Sequence, residues 1–203
     1  MKITTIAFLA AMVAAVPAFA QQSGPTTDLA KVEGGNFEID RTHAKVIFSY
    51  SHFGYSVSYG FLTDFNAKLS FDPKAPTNSA LDATFNLNGI DTAVPKLNDH
   101  LKTADFFDVE KFPTATFKST KITVTGPNTG VVTGDLTLHG VTKPVSLDVT
   151  FNGGGMHMAK KKYDLGFNAV GHLKRSDFGL GAYVPMVGDD VSLQISAEFD
   201  RVQ

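Results

Sequence analysis

A two-residue rhythm of apolar and polar side chains, running from about Asn36 onward, constrains this chain more than any other feature. It is clearest where Val191, Leu193, Ile195, Ala197 and Phe199 alternate with Ser192, Gln194, Ser196, Glu198 and Asp200. Neighbouring side chains of a strand point to opposite faces, so this pattern describes strands with one buried and one wet face. Val145, Leu147, Val149 and Phe151 repeat it, as do Leu165, Phe167, Ala169 and Leu173. Further strands are expected over 45–50, 55–71, 80–87, 114–125 and 131–138. The breaks carry turn chemistry at Asp72-Pro73, Gly126-Pro127-Asn128, His139-Gly140 and Gly153-Gly154-Gly155.

One stretch departs from the rhythm. Val94, Leu97 and Leu101 have helical spacing within 91–107, with Thr92 as the expected N-cap and Pro95 in the first turn. A second short helical turn is expected at 176–180, opened by Ser176. Strands with one apolar face close into a barrel or stack as a sandwich. Long strands rich in Phe favour the barrel. The expected fold is therefore all-β: an antiparallel up-and-down barrel of about eight strands with one or two short helices. Such a barrel has no sheet edges and encloses room for side chains or one small ligand.

The first twenty residues read as an export leader. Lys2 is followed by an apolar run from Ile6 to Val16, then Pro17 and the small residues of Ala18-Phe19-Ala20. Cleavage is expected after Ala20, and the periplasm is the expected compartment. The run falls short of the roughly 20 apolar residues that cross a bilayer, so no integral membrane anchor is expected. Residues 21–35 are polar and small and read as a flexible lead-in, leaving 36–203 as the barrel domain. With no Cys, the chain has no disulfide framework, thiolate metal site, Cys nucleophile or lipidated Cys. A net charge of -2 gives no general attraction to polyanions, so no nucleic-acid partner is expected. The unusual count is 17 Phe against no Trp, which asks for a use of large apolar rings without polar atoms.

Several motifs then carry a resemblance. They begin with Asn36-Phe37-Glu38-Ile39-Asp40-Arg41-Thr42-His43, followed by Gly60, Phe65 and Leu69-Ser70-Phe71-Asp72-Pro73. The middle holds Asp99-His100-Leu101-Lys102-Thr103-Ala104-Asp105-Phe106-Phe107-Asp108 and Phe112-Pro113-Thr114-Ala115-Thr116-Phe117. Gly134-Asp135-Leu136-Thr137-Leu138-His139-Gly140-Val141-Thr142-Lys143-Pro144-Val145 and Arg175-Ser176-Asp177-Phe178-Gly179 complete the set. In this order they resemble the YceI-like family over about residues 36–200. The resemblance implies a lipocalin-like barrel with an elongated apolar tunnel. The tunnel would hold an isoprenoid quinone, a prenyl phosphate or a similar amphiphile, in an exported carrier or sequestering protein that is not an enzyme. It also raises a homodimer as an assembly. Ala67 stands where the family usually has Gly, and Phe61 precedes Leu62 where a polar-then-Phe pair is common, which implies a locally altered tunnel.

A prenyl tail offers nothing to hydrogen-bond, so its recognition rests on apolar area, about 0.8 kcal/mol per buried CH2. The candidate wall is Phe48, Tyr50, Phe65, Phe85, Leu97, Leu101, Phe106, Phe107, Phe117, Leu138, Phe167 and Phe178. These rings could equally fill a closed core. Candidates for the polar end of a ligand are Asn98, His100, His139, Lys143, Arg175 and Asp177, with Arg175 able to fork onto a phosphate or quinone oxygen. The structural alternative pairs Arg175 with Asp177 and leaves Lys143 solvated. None of the six His falls in a zinc motif, and no resident cofactor or metal is expected. Met156-His157-Met158 has donors that suit Cu(I), against the plainer reading of a loop tip. No Gly-x-Ser-x-Gly elbow is present. Two rival readings stand: a small enzyme with a hydrophobic substrate pocket, and a stress-protection or interaction protein whose barrel is solid.

Overall fold

The computed structural model describes residues 24–202; the expected leader at 1–20 lies outside them. The described strands are β1 (Gly35–Ile39), β2 (Lys45–His52), β3 (Ser56–Leu62), β4 (Phe65–Phe71), β5 (Ala80–Asn86) and β6 (Ile90–Asp91). Helix α1 (Pro95–Lys102) follows, then β7 (Thr114–Val124), β8 (Thr129–Leu138), β9 (Val141–Met156), β10 (Tyr163–Lys174) and β11 (Val187–Arg201). All strands join one antiparallel sheet, closed by pairing of β1 with β11.

The registers reduce eleven strands to eight ribbons. β1 and β2 pair in succession with β11, Phe37 opposite Arg201 and Ile47 opposite Gln194. Their partners β4 and β3 are also consecutive in sequence, and β5 and β6 pair with β4 and β3 in turn. Three interrupted ribbons and five continuous ones thus make the expected up-and-down barrel.

The segment 55–71, expected as one strand, breaks at Thr63-Asp64 because three ribbons are tied together there. Asp64 accepts hydrogen bonds from Arg41 Nη2 at 2.6 Å and Asn86 Nδ2 at 2.8 Å, and Thr63 N donates to Gly89 O at 2.9 Å. A side chain at position 89 would sit 2.6 Å from Asp64 Cβ, so only Gly fits.

Other boundaries also differ from expectation. α1 is shorter than 91–107, and its N-cap is Val94. Thr92 instead bonds Asn98 Oδ1 through both its backbone N–H and its hydroxyl, at 2.8 and 2.6 Å. The second turn is a 3-10 turn, Arg175–Phe178, and Ser176 is bound to Asp189 rather than opening it. Gly153-Gly154-Gly155 lies inside β9 and is not a turn; a bulge opposite Gly166 and Phe167 absorbs it. These small residues admit residues 24–26 alongside, with Thr26 exchanging backbone hydrogen bonds with Gly154 at 3.0 and 2.9 Å. Residues 24–35 are therefore packed into the fold, not a flexible lead-in. Val32 is buried, and Glu33 N donates to the Tyr163 hydroxyl at 3.0 Å.

The barrel has two unlike ends. The closed end carries the connections 72–79, 125–128 and 157–162 and the packed 24–35 segment. Phe37, Phe71, Phe151, Leu165 and Phe199 form its core. The helix end carries 53–55, α1 with 103–113, 139–140 and 175–186. Leu87, Leu101, Leu138 and Phe178 form its core. Outside the closed end, Lys160 Nζ sits 2.9 Å from Asp40, 2.6 Å from Asp164, 2.7 Å from Asp200 and 3.6 Å from Glu198. This latch ties the β9–β10 loop to the β1–β2 break and to β11. Burial alone would weaken the hold of Lys160 on its proton, but the surrounding carboxylates raise its pKa above the ordinary value. Burial alone would raise the Asp40 pKa, but hydrogen bonds from His43, Lys160 and Thr42 hold it well below the carboxylate range. Burial raises that of Asp164.

Candidate functional site

The barrel is not solid. A cavity of about 510 Å³ opens at the helix end, and a second of about 180 Å³ lies toward the closed end. Leu81, Leu147, Ile195, Ala197 and Phe199 line both, so the two lie end to end along one interior.

Small residues and folded-back rings make the hollow. Ala67 faces Ala83 across the β4–β5 ladder, and Ala115 and Ala197 face the same space. Phe48 stands opposite Gly60, where an added Cβ would lie 2.2 Å from the ring. The ring therefore lies across its neighbouring strand instead of projecting to the centre. Phe117 does the same over Gly134, at 2.5 Å from an added Cβ. Aromatic area is thus spread along the wall, with Phe48 stacked beside Tyr50 and Phe65 tilted against Phe85 at 5.7 Å.

Of the candidate residues, Phe48, Tyr50, Phe65, Phe85, Leu97 and His100 line the larger cavity. Leu101, Phe106, Phe107, Phe117, Leu138 and Arg175 line it too. Phe167 lines the smaller one. Phe178 is instead packed in the helix-end core. Asn98 staples the entry to α1, accepting from Thr92 and donating to Asp91 Oδ1 at 3.0 Å. Phe61, expected to alter the tunnel, points outward and is exposed, while Leu62 and Ala67 face the cavity.

Among the described residues Arg175 is the one Lys, Arg, Asp or Glu in the lining, and most of its donors are engaged. Nε donates to Gly188 O at 2.8 Å, Nη1 to Leu180 O, and Nη2 to Ala182 O at 2.9 Å and Val187 O at 2.7 Å. With four of its five N–H groups on carbonyls, the guanidinium cannot fork onto a ligand without releasing the loop it organises. Burial lowers its pKa from the ordinary value, opposed by Asp189. It does not pair with Asp177, which instead meets Lys143 Nζ at 3.2 Å on the surface. His139 Nδ1 lies 3.2 Å from Phe178 O, outside the lining.

The mouth is defined by residues that both line the cavity and reach solvent. Phe53 is 44% exposed and Tyr183 58%. Phe53 N donates to Met186 O at 2.7 Å, and the Phe106 and Tyr183 rings lie 6.0 Å apart, so the β2–β3 turn, the 175–186 loop and the segment after α1 share one rim. His52 and His100 stand at this rim, His100 Nε2 3.1 Å from Asp105 Oδ2. Among the described residues the Tyr50 hydroxyl has no protein hydrogen-bond partner, and no lining hydroxyl bonds a lining imidazole.

The lining also holds aliphatic residues beyond the candidate rings and Leu97, Leu101 and Leu138: Ala83, Val145, Leu147, Leu193 and Ile195. Their signal was present as strand parity, since each shares a face with a chosen ring or its neighbour. The Met156-His157-Met158 segment leaves both Met exposed, and His157 Nδ1 accepts from Ala159 N and Lys160 N. Asp40, His43 and Glu198, and likewise His157, Asp164 and Glu198, come close enough to share an ion, but the Lys160 ammonium already stands among these carboxylates.

Known proteins match this chain over most of its length. A family model described as the YceI-like domain matches residues 37–199. A UPF0312 protein of Ectopseudomonas mendocina is 40% identical over 80% of this chain and 86% of its own length. Protein YceI of Salmonella arizonae is 39% identical over 80% and 85%. Among solved structures, Burkholderia cenocepacia BcnA superposes with a TM-score of 0.72 at 27% identity, covering 79% of this chain and 98% of that one. A polyisoprenoid binding domain from Saccharophagus degradans shares the fold, with a TM-score of 0.58 at 14% identity over 84% of this chain and 100% of that domain.

Proposed function

The chain belongs to the YceI-like family, and we propose that it binds one long-chain isoprenoid or similar amphiphilic lipid, tail in the barrel and polar end at the rim. The observation that carries this reading is the cavity itself: about 510 Å³ with, among the described residues, a single Lys, Arg, Asp or Glu side chain in its lining, and that one held by carbonyls. Ligand sites fall at about 300–1,000 Å³. A void of roughly 150 Å³ lined by Leu, Ile and Phe already takes a benzene. Packing gains scale at about 24 cal/mol per Å³, so contents that fill the larger cavity bring about 12 kcal/mol before ordering costs.

A tail held this way needs no polar contact. The polar end meets the rim, where Tyr50, His52, His100 and Tyr183 supply donors and acceptors. Arg175 serves as a positioning residue for the rim loop. The same lining supports binding over catalysis, because it offers no hydroxyl activated by an imidazole. The leader pattern of residues 1–20 supports a role as a periplasmic carrier or sequestering protein.

The test is native mass spectrometry of purified protein mixed with ubiquinone or undecaprenyl phosphate in a volatile detergent. One-to-one adducts are expected with at least one of the two. Bare protein alone with both, alongside a spectrum of intact folded charge states, would contradict the reading.

A further inference from the structure

We propose that the barrel docks on a lipid bilayer through an uncharged aromatic wall that runs from the cavity mouth down the outside of β3. This rests on the proposed lipid cargo for its purpose, and on the outer surface for its site.

Tyr55, at the β2–β3 turn, is 92% exposed. Val57, Tyr59 and Phe61 follow it at every second residue on the outer face of β3, all exposed. On the adjoining strand Ser49 lies opposite Tyr59, and Ile47 opposite Phe61. One strand further, Ser192 and Gln194 face Ser49 and Ile47. These residues of three neighbouring strands form a registered patch without charge, bordered on the β6 side by Asp91 opposite Phe61. At the rim, Phe53, Val94, Tyr183, Val184 and Met186 extend it as exposed apolar residues.

Toward the closed end of the same two ribbons, and on around the next three, the barrel shows what it does where it faces water. There Glu38, Lys68, Asp82, Lys118 and Asp135 are successive cross-strand neighbours, a ladder of alternating charge over five strands. β3 also has an open edge. Its ladder to β6 covers only Phe61 and Leu62, so Ser56–Gly60 pair on the β2 side alone among the described residues. Exposed edges are normally guarded by charge or Pro. This one carries Tyr and Val instead, and contiguous exposed apolar surface marks a contact site.

The chemistry of the wall selects a bilayer as its occupant. Tyr places an apolar ring and a polar hydroxyl where headgroups meet acyl chains. Phe53 and Tyr183 belong both to the wall and to the cavity lining, so a surface that meets the wall also meets the mouth. A prenyl tail leaving a membrane through water loses about 0.8 kcal/mol per exposed CH2. A mouth seated on the bilayer avoids that exposure. Because the wall has no cluster of Lys or Arg, docking should not need anionic lipid and should resist salt.

Flotation of the protein with phosphatidylcholine–phosphatidylethanolamine vesicles, at low and high salt, tests the proposal. The wild type is expected to float at both. The double variant Tyr55→Ser, Tyr59→Ser should partition about tenfold less, and Lys118→Ser, on the charged wall, should float like wild type. Uptake of ubiquinone from detergent separates this from the cargo reading, since the double variant should load as wild type does. Wild type that stays with the aqueous fraction yet loads from detergent overturns the docking and leaves lipid binding standing. Flotation without loading supports the docking and removes the cargo reading. Equal flotation of the double variant overturns the docking. So does a wild-type dimer in sedimentation that the double variant dissolves, which would assign the wall to a second copy of the chain.

Discussion

The two ends of the barrel are cut from the same ribbons but hold together by different means. At the closed end, rings of Phe71, Phe151, Phe167 and Phe199 pack tilted or edge to face, residues 24–35 cover them, and the Lys160 latch clamps the outside. At the helix end, the rim loop is held by backbone carbonyls gathered on Arg175, and rings such as Phe53 and Tyr183 remain exposed. Stability is concentrated at one end and access at the other. That division suits a vessel: the end that must not open is plugged, and the end that must admit a chain is only rimmed.

If this division holds, substitutions at the two ends should separate stability from binding. The largest effect is expected from Phe37→Ala. Phe37 is 1% exposed, and emptying such a site costs about 3–5 kcal/mol, read as the loss in urea unfolding free energy. Ligand affinity of the folded fraction should stay unchanged. Next comes Lys160→Met, which leaves several carboxylates facing one another. Removing one partner of a fully buried pair costs about 3–5 kcal/mol. Because the Lys160 side chain keeps 21% of its exposure, about 2–3 kcal/mol is expected by the same measurement.

The latch should also set a pH optimum. The Asp40 pKa is lowered by folding, so its contribution is complete above the ordinary carboxylate range and is lost as pH falls through the folded value. The His43 pKa is raised, first by its bond to Asp40, so its contribution is complete below about 6.5 and is lost as pH rises through the folded value. Asp164, raised by burial, opposes Asp40 on the acid side. Thermal melts across pH should therefore peak in the weakly acidic range, and Asp40→Asn should flatten the neutral limb. The smallest effect belongs to the rim. Tyr50→Phe keeps the ring and removes an unpartnered hydroxyl, so stability should move by less than about 0.5 kcal/mol. Affinity should fall by about threefold to tenfold, the worth of about one hydrogen bond.

Much of the barrel, though not the contrast between its ends, was legible in the sequence. Parity along each strand identifies the inward rings, and the run of alternating strands leads to the closed barrel. The breaks were not legible, because Thr63-Asp64 interrupts its ribbon through ties to Arg41, Asn86 and Gly89, all distant in sequence. Residues 24–35 read as a loose lead-in because their anchors, Gly154 and Tyr163, lie more than a hundred residues away. Arg175 was legible as a special charge but not in its role. Only the folded loop shows that its partners are carbonyls, which no side-chain pattern records. The hollow itself depends on which rings lie flat, and Gly60 beneath Phe48 decides that through space rather than through spacing.

The central claim is that the space between the two ends holds an apolar chain, and Ala83→Phe tests it most directly. Ala83 lines the larger cavity opposite Ala67 and beside Phe117. A ring there should fill the path of the tail while adding packing. Native mass spectrometry with ubiquinone should show a one-to-one adduct for wild type and none for Ala83→Phe, whose melting temperature is equal or higher. An adduct that persists unchanged in a well-folded Ala83→Phe protein would place the ligand elsewhere and contradict the account.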